Sequence, residues 1–119
     1  MVKKINHNDK EILYINYGDC KTEEEMIANL IKAQEMIVTD NKPYLQLTNL
    51  QGAYPTFNFM KKAKQVAKDT PKLAQKRAIV GIDSPSRKIL LKGYNMILGG
   101  KGLAPFDDEN EALEWLSKS

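Results

Sequence analysis

Short apolar segments with strand character alternate along this chain with segments of helical periodicity. Residues 77–82 are the strongest case, because every residue after Arg77 is apolar or glycine, as in a strand buried on both faces. Residues 11–17 are rich in β-branched and aromatic side chains and follow a polar turn at 6–9. The predicted strands are residues 2–5, 11–17, 43–48, 77–82 and 103–106.

Helix signals occupy the intervals between these strands. Thr22 and Glu25 form a capping box for a helix that extends to about residue 38. A serine cap followed by proline favours a helix start, and a glycine pair or an X-Pro pair favours an end. The other helices are predicted at 56–69 before Thr70-Pro71, from Ser84-Pro85 to Gly99-Gly100, and from Asp107 or Asp108 onward.

Apolar spacing predicts a buried face for each of the first three helices. The first face contains Ile27, Leu30, Ile31, Gln34 and Ile37, with Ala33 beside them. The second is centred on Ala63 and contains Phe59, Val66, Ala67 and Thr70. The third contains Ile89, Leu90, Gly93, Met96 and Ile97. A second apolar strip on that third helix contacts a neighbouring helix or borders a pocket or partner, and it consists of Leu91, Tyr94 and Leu98.

The element order is strand-strand-helix-strand-helix-strand-helix-strand-helix. Such alternation is typical of an α/β protein with a mainly parallel sheet and right-handed crossovers. Pro105 favours an edge position for the last strand, because proline cannot donate a ladder hydrogen bond. We see no repeat or linker in the 119 residues, so we expect one domain over 1–119.

Composition narrows the classes of function. No apolar run reaches the roughly 20 residues that cross a bilayer, and residues 1–10 lack the apolar centre of an export signal, so we expect a cytoplasmic protein. A single cysteine, Cys20, and a single histidine, His7, give no basis for an internal disulfide or a Cys/His metal cluster. We therefore expect no metal and no cofactor.

Charge is distributed in blocks. Residues 19–40 hold six acids and two lysines, and residues 106–119 hold five acids and one lysine. Residues 41–82 hold eight cations against Asp69 alone. Such a field steers an acidic partner towards the middle of the chain, and a solvated helix face explains it equally simply. No nucleic-acid-binding motif accompanies these cations, so we expect nucleic acid to be an unlikely partner.

Three segments resemble the STAS superfamily, and within it the SpoIIAA-like branch with its STAS/SEC14-like small domains. Residues 77–81 are similar to the penultimate strand of that family, residues 106–116 (FDDENEALEWL) to its closing motif, and residues 14–18 to its opening strand. The resemblance covers roughly residues 10–117. It implies a sheet of four or five mostly parallel strands with helices mainly on one face.

The corner between the third predicted strand and the next helix, LTNLQGAYPTF at 47–57, concentrates hydroxyls, amides and aromatics. In STAS anti-sigma-factor antagonists this corner carries an Asp-Ser-Ser-Gly motif whose serine is phosphorylated by a partner kinase. An ungapped match leaves only Thr56 with a hydroxyl there, so Thr56 is the phosphorylation candidate that the resemblance implies, with a helix N-cap as the simpler role. The expected partner- or ligand-binding residues are Asn49, Tyr54, Thr56, Phe57, Lys61, Ser84 and Tyr94.

Catalytic and phosphate-binding signatures are missing from the sequence. The glycines at 99–102 run from a helix into a strand, which favours helix C-caps over a phosphate loop. The acids at 107–111 fall in the first turn of a helix, where acids stabilise the dipole. No patterned base accompanies Cys20 or His7, so we expect no catalytic residue and no enzyme.

Three hypotheses follow. The first is a non-enzymatic STAS-like regulatory or binding module that docks a protein partner on residues 50–57 and 84–88. The second is a carrier or sensor of an apolar or anionic lipid-like ligand held between the second and third helices, with lysines meeting its head group. The third, a small hydrolase or transferase, needs a pocket that joins a hydroxyl to a base. A homodimer is possible under any of them.

Overall fold

The computed structural model describes residues 1–69, 73–98 and 102–118, with the backbone alone at 97 and 98. Its five strands are β1 (Val2–His7), β2 (Lys10–Asn16), β3 (Tyr44–Asn49), β4 (Ala74–Val80) and β5 (Ala104–Phe106). Its four helices are α1 (Glu23–Asp40), α2 (Phe57–Asp69), α3 (Pro85–Leu98) and α4 (Glu109–Ser117). The element order and the α/β class predicted from the sequence are confirmed.

The strands form one sheet in the order β1-β2-β3-β4-β5. β1 pairs antiparallel with β2, and the other neighbours are parallel. The short β5 lies at an edge, as Pro105 predicts. Helices α1, α2 and α3 pack on one face, and α4 packs on the other against β3 and β4. The sheet is therefore five-stranded and mostly parallel, with helices mainly on one face.

The N-terminal hairpin differs from its predicted bounds. β1 continues to His7 and β2 starts at Lys10, so the turn is two residues and not the predicted 6–9. Asn8 and Asp9 have positive φ angles of 51° and 65°, which these residue types tolerate and which match the twist of a tight hairpin. Strand β4 likewise starts at Ala74 and ends at Val80, earlier than the predicted 77–82.

The predicted caps of α1 and α2 are confirmed, and α4 begins near the predicted position. Thr22 Oγ1 accepts the Glu25 amide of α1, and Asp108 caps α4 in the same way. Thr56 Oγ1 accepts the Phe59 amide of α2 at 3.2 Å. In α2 the buried residues include Phe59, Val66 and Ala67 as predicted, whereas Thr70 lies outside the described residues, as do the breaks predicted at Thr70-Pro71 and Gly99-Gly100.

The buried face of α1 is rotated from the predicted one. Met26, Leu30, Ala33 and Ile37 are buried, while Ile31 is exposed and Ile27 is half-buried. The reason is that α1 has α2 as its described helical neighbour and packs on β1 and β2 of the sheet. One stripe at positions i, i+4, i+7 and i+11 is enough for that contact, and it leaves Ile31 on the outer side.

The predicted core face of α3 is wrong. Ile89 and Met96 are 72% and 74% exposed, and Leu90 is also exposed, whereas Leu91 and Tyr94 of the supposed second strip are buried. The inward stripe is Arg87, Leu91 and Tyr94, at positions i, i+4 and i+7. Sequence reasoning compared the two apolar strips without using Arg87, and so chose the wrong one.

Candidate functional site

The carboxyl ends of the parallel strands β2, β3 and β4 meet at one edge of the sheet, beside the N-termini of α2 and α3. Binding crevices of parallel α/β sheets form at such an edge. Residues 50–57, which we call the corner, leave β3 here, and residues 84–88 begin α3 alongside it. We call the exposed residues of these two segments, together with Lys61, the rim surface.

Backbone and side-chain hydrogen bonds hold the corner in one conformation. The Ala53 amide donates to the Leu50 carbonyl at 3.0 Å, and the Gln51 amide donates to Asn49 Oδ1 at 2.8 Å. Gly52 between them has a φ of 81°, a left-handed conformation that glycine adopts without strain. The first half of the corner is thus a defined turn in which the amides of Leu50, Gln51 and Ala53 have intramolecular acceptors.

Arg87 ties the corner to the neighbouring segment. Its Nη1 atom donates to the Leu50 and Gly81 carbonyls at 3.0 Å each, and its Nη2 atom donates to the Ala53 carbonyl. These bonds use the planar fork of donors that only arginine provides. The start of α3 and the corner are therefore one rigid unit, a feature that the sequence pattern did not reveal.

Two aromatic side chains project from this rigid corner into solvent. Tyr54 is 78% exposed and Phe57 is 82% exposed. Phe57 begins α2, and Lys61, Lys64 and Lys68 follow it at positions i+4, i+7 and i+11, which lie on the same side of a helix. The structure thus places a large apolar ring at the end of a basic stripe.

The hydroxyl residues predicted at the rim act as caps. Thr56 Oγ1 donates to Glu23 Oε1 as well as capping α2, and Ser84 Oγ accepts the Arg87 amide at 3.3 Å. Both side chains are half-buried. Since Thr56 contacts a carboxylate, a phosphate on that oxygen would meet like charge from Glu23.

Two of the expected site residues lie inside the protein. Asn49 is buried on the α4 side of the sheet, where its Nδ2 atom donates to Glu109 Oε1 at 2.7 Å. The Tyr14 hydroxyl donates to the same carboxylate oxygen at 2.7 Å. Tyr94 is buried in the layer of α1, α2 and α3. Neither side chain belongs to the rim surface.

A cavity of about 80 Å³ lies between the sheet and helices α1, α2 and α3. Its walls are mainly apolar, with Leu30 and Ala33 from α1, Phe59 and Val66 from α2, and Ile79 from β4. A set of polar side chains shares the sheet side of this cavity with Tyr94 of α3. We call it the buried polar cluster, and it consists of Tyr44, Gln46, Thr48, Arg77 and Tyr94.

Arg77 is at the centre of the buried polar cluster. Its side chain is only 4% exposed, and its Nη2 atom donates to the Tyr44 hydroxyl at 3.0 Å. Gln46 is its register partner on β3 and donates to Thr48 Oγ1 at 3.0 Å. Burial raises the pKa of the Tyr94 hydroxyl, and the nearby Arg77 charge works in the opposite direction.

Sequence reasoning missed this cluster, although β3 carries its signal. Leu45 and Leu47 alternate with Tyr44, Gln46 and Thr48, so one face of a central strand is apolar and the other is polar. The polar face points at three helices and not at water. Arg77 was counted only as one of the eight cations of residues 41–82, because strand register across β3 and β4 cannot be read from one strand alone.

Other titratable groups have structural contacts. The pKa of the Cys20 thiol is raised by burial, and its sulfur accepts a hydrogen bond from Asn29 Nδ2 at 3.2 Å. His7 Nε2 lies 3.1 Å from Glu114 Oε1 and holds the pKa of that carboxyl below its usual range.

Within the described ranges no three His, Cys, Asp or Glu side chains are grouped as metal ligands, and no helix there is long and apolar enough to span a membrane.

A polar depression of about 240 Å³ lies near the β1–β2 turn, away from the corner. Lys4 Nζ lies 2.6 Å from Asp40 Oδ2 there, and Lys42 Nζ lies 3.5 Å from Glu11 Oε1. The charges of this depression therefore compensate one another on an exposed surface.

No protein-family model, curated protein or solved structure matches this chain at a significant level.

Proposed function

We propose that this chain is a non-enzymatic binding module whose rim surface docks an acidic, amphipathic segment of a protein partner. The observation that carries the proposal is the exposure of Tyr54 and Phe57 on a corner that is otherwise fixed by hydrogen bonds. Large aromatic side chains are the commonest anchors of protein interfaces. In a single chain, two exposed aromatic side chains three positions apart leave apolar area uncovered.

Rigidity of the corner supports docking, because a preformed surface loses little conformational entropy on binding. Arg87 fixes the corner to α3 through Leu50, Ala53 and Gly81. The backbone under Tyr54 and Phe57 therefore does not have to be ordered when a partner arrives.

The charge of the helices supports an acidic partner. Helices α2 and α3 carry seven cations, namely Lys61, Lys62, Lys64, Lys68, Arg87, Lys88 and Lys92, against Asp69 alone. Arg87 is used internally, and the remaining six lysines give the surface of both helices a positive potential. A partner with acids around an apolar stripe complements both Phe57 and these lysines.

Membership in the STAS superfamily remains part of this proposal, supported by the strand order and by helices α1, α2 and α3 sharing one face. In the anti-sigma-factor antagonists of that family, the corner carries the serine that a partner kinase phosphorylates. Here Thr56 donates to Glu23 and caps α2, so we propose a constitutive docking surface in place of a phosphorylation switch.

Capture from nuclease-treated cell extract tests the proposal. The immobilised chain is compared with Phe57→Ala, Tyr54→Ala and the matched control Val38→Ala, whose exposed apolar side chain lies near the C-terminus of α1. We expect the wild type and Val38→Ala to retain acidic proteins that Phe57→Ala and Tyr54→Ala do not retain. Each such protein is then purified, and we expect Phe57→Ala to weaken its Kd at least about tenfold, with weaker binding at high salt.

Folding is checked on the same samples. Because Phe57 and Tyr54 are exposed, we expect either alanine variant to change the Tm by less than about 3 °C. Equal retention by Phe57→Ala and Val38→Ala would contradict the rim surface, and so would a captured set that nuclease treatment removes. Unfolding of Phe57→Ala would assign the ring to the core.

A further inference from the structure

The buried polar cluster lies in a cavity whose lining excludes both exposed aromatics, Tyr54 and Phe57. We infer that this cavity is a second binding site, independent of the rim surface, for a small apolar monocarboxylate whose carboxylate contacts Arg77. This gives a site and a ligand class to the carrier or sensor hypothesis, and it replaces the surface lysines of that hypothesis with a buried arginine.

The first argument is the contrast between the two faces of the sheet. On the α4 side, β3 and β4 present Leu45, Leu47, Ala78 and Val80. The polar side chains of that face, Asn49 and Lys76, bond to Glu109 and to the Trp115 carbonyl of α4. On the other side the same two strands present Gln46, Thr48 and Arg77. Withdrawing a guanidinium from water costs several kcal/mol, so a charge on this face is a functional signal.

Charge and hydrogen-bond donors specify an anion. The described residues that line the cavity include two arginines and no aspartate or glutamate. Arg87 is directed at backbone carbonyls, so Arg77 is the cation that faces the cavity. A guanidinium has five N–H donors in a planar fork, which allows Arg77 to contact Tyr44 and Tyr94 and a carboxylate as well.

Two tyrosine hydroxyls add donors. Tyr17 is 3% exposed and lines the cavity, and within the described part of the chain no hydrogen bond to its hydroxyl is present. Burial raises the pKa of Tyr17 and of Tyr94, so both hydroxyls stay protonated at neutral pH and can donate. An oxyanion is the acceptor that suits a cation and two such donors.

Volume and lining specify the rest of the ligand. The cavity of about 80 Å³ is about half the size of the roughly 150 Å³ apolar cavities that bind benzene. Its walls from α1 and α2 are aliphatic and aromatic, so the buried part of the ligand is a short hydrocarbon group. The exposed Leu90 and half-buried Met60 also line the cavity, which lets a longer chain reach the surface between α2 and α3.

Methyl NMR titration of the whole chain with hexanoate and with hexan-1-ol tests the inference. We expect hexanoate to shift the methyl signals of Ile79, Val66 and Leu91, and hexan-1-ol to bind at least about tenfold more weakly because it lacks the charge. Butanoate and octanoate complete a length series, in which tightest binding by the shorter acids indicates a free small acid and steadily rising affinity indicates a lipid acyl chain.

Variants separate the site from the fold and from the rim surface. Arg77→Gln is expected to remove the preference for the acid over the alcohol, and Tyr94→Phe to weaken hexanoate about threefold or more while retaining the ring. Ala63→Leu fills the cavity and is expected to abolish the hexanoate shifts in a folded protein, whereas Ala28→Leu on the exposed side of α1 leaves them unchanged. Phe57→Ala also leaves hexanoate binding unchanged, so failure of either site is seen separately.

Three results would overturn the inference. The first is an absence of shifts with all three acids. The second is equal affinity for hexanoate and hexan-1-ol, which would remove the role of Arg77. The third is hexanoate binding that persists in folded Ala63→Leu, which would place the ligand elsewhere.

Discussion

Gly81 shows how closely the backbone is packed at the corner. A Cβ atom there would lie 2.6 Å from the Gln51 nitrogen and 2.8 Å from the Leu50 carbonyl carbon, and the φ of 97° is itself unfavourable for other residues. On the opposite side, a Cβ at Gly18 would lie 2.5 Å from the Gln51 oxygen. Glycines just after the two strands that flank β3 therefore make room for the corner that carries Tyr54 and Phe57.

Gly81→Ala is expected to lower the free energy of unfolding by about 2 kcal/mol or more, because backbone atoms have to move and the φ is strained. Gly93→Ala is the matched control, since a Cβ there has no neighbour within 4 Å and alanine favours a helix. We expect that variant to gain about 0.5 kcal/mol. Urea unfolding measures the free energy of unfolding of both variants. Equal changes in the two variants would contradict the close approach of Gly81 to the Leu50 and Gln51 backbone.

At the scale of the element, α3 shows why apolar spacing alone can choose the wrong face. The helix has two apolar strips, and α2 is its described helical neighbour. The bonds from Arg87 to the corner carbonyls fix the rotation of the helix at its first turn. Leu91 and Tyr94 then point inward, and Ile89 and Met96 are left on the surface.

This rotation predicts opposite costs for two similar truncations. Leu91→Ala removes a buried side chain next to the cavity and is expected to lower the free energy of unfolding by about 3 kcal/mol. Ile89→Ala removes an exposed side chain and is expected to change it by less than about 0.5 kcal/mol. Chemical denaturation distinguishes them, and a larger loss for Ile89→Ala would restore the face predicted from the sequence.

At the scale of the whole molecule, the layered arrangement buries tyrosines on both faces of the sheet. Tyr14 lies against α4, and Tyr17 and Tyr94 lie in the layer of α1, α2 and α3. Burial raises the pKa of each of the three hydroxyls above its ordinary value of 10.0. The folded protein therefore holds these protons at a pH where the unfolded chain releases them.

The stabilisation from the protonated hydroxyls is complete below about pH 10 and is lost as the pH rises above it, because the unfolded state ionises first. We expect the urea midpoint of the wild type to fall between pH 9.5 and 11. The double variant Tyr17→Phe, Tyr94→Phe is expected to fall less over the same range, since it lacks two of these groups. Parallel decreases in the two proteins would assign the effect to other groups.

The sequence by itself determined the order of the elements, the caps Thr22, Thr56 and Ser84, and the start of the last helix near Asp108. These features depend on residues within one or two turns of each other, so local hydrogen bonds and periodicity encode them. The positions of residues 50–57 after β3 and of residues 84–88 at the start of α3 were predicted for the same reason, because strand ends and helix starts are local signals.

Only the tertiary structure decided which strip of α3 is buried and brought the buried polar cluster together. Gln46 and Arg77 are neighbours through the register of β3 on β4, and Tyr94 joins them through the rotation of α3. Register and rotation depend on contacts between segments distant in the chain, and a single strand or helix pattern carries no information about them. The cavity that we propose as a carboxylate site arises from that non-local packing.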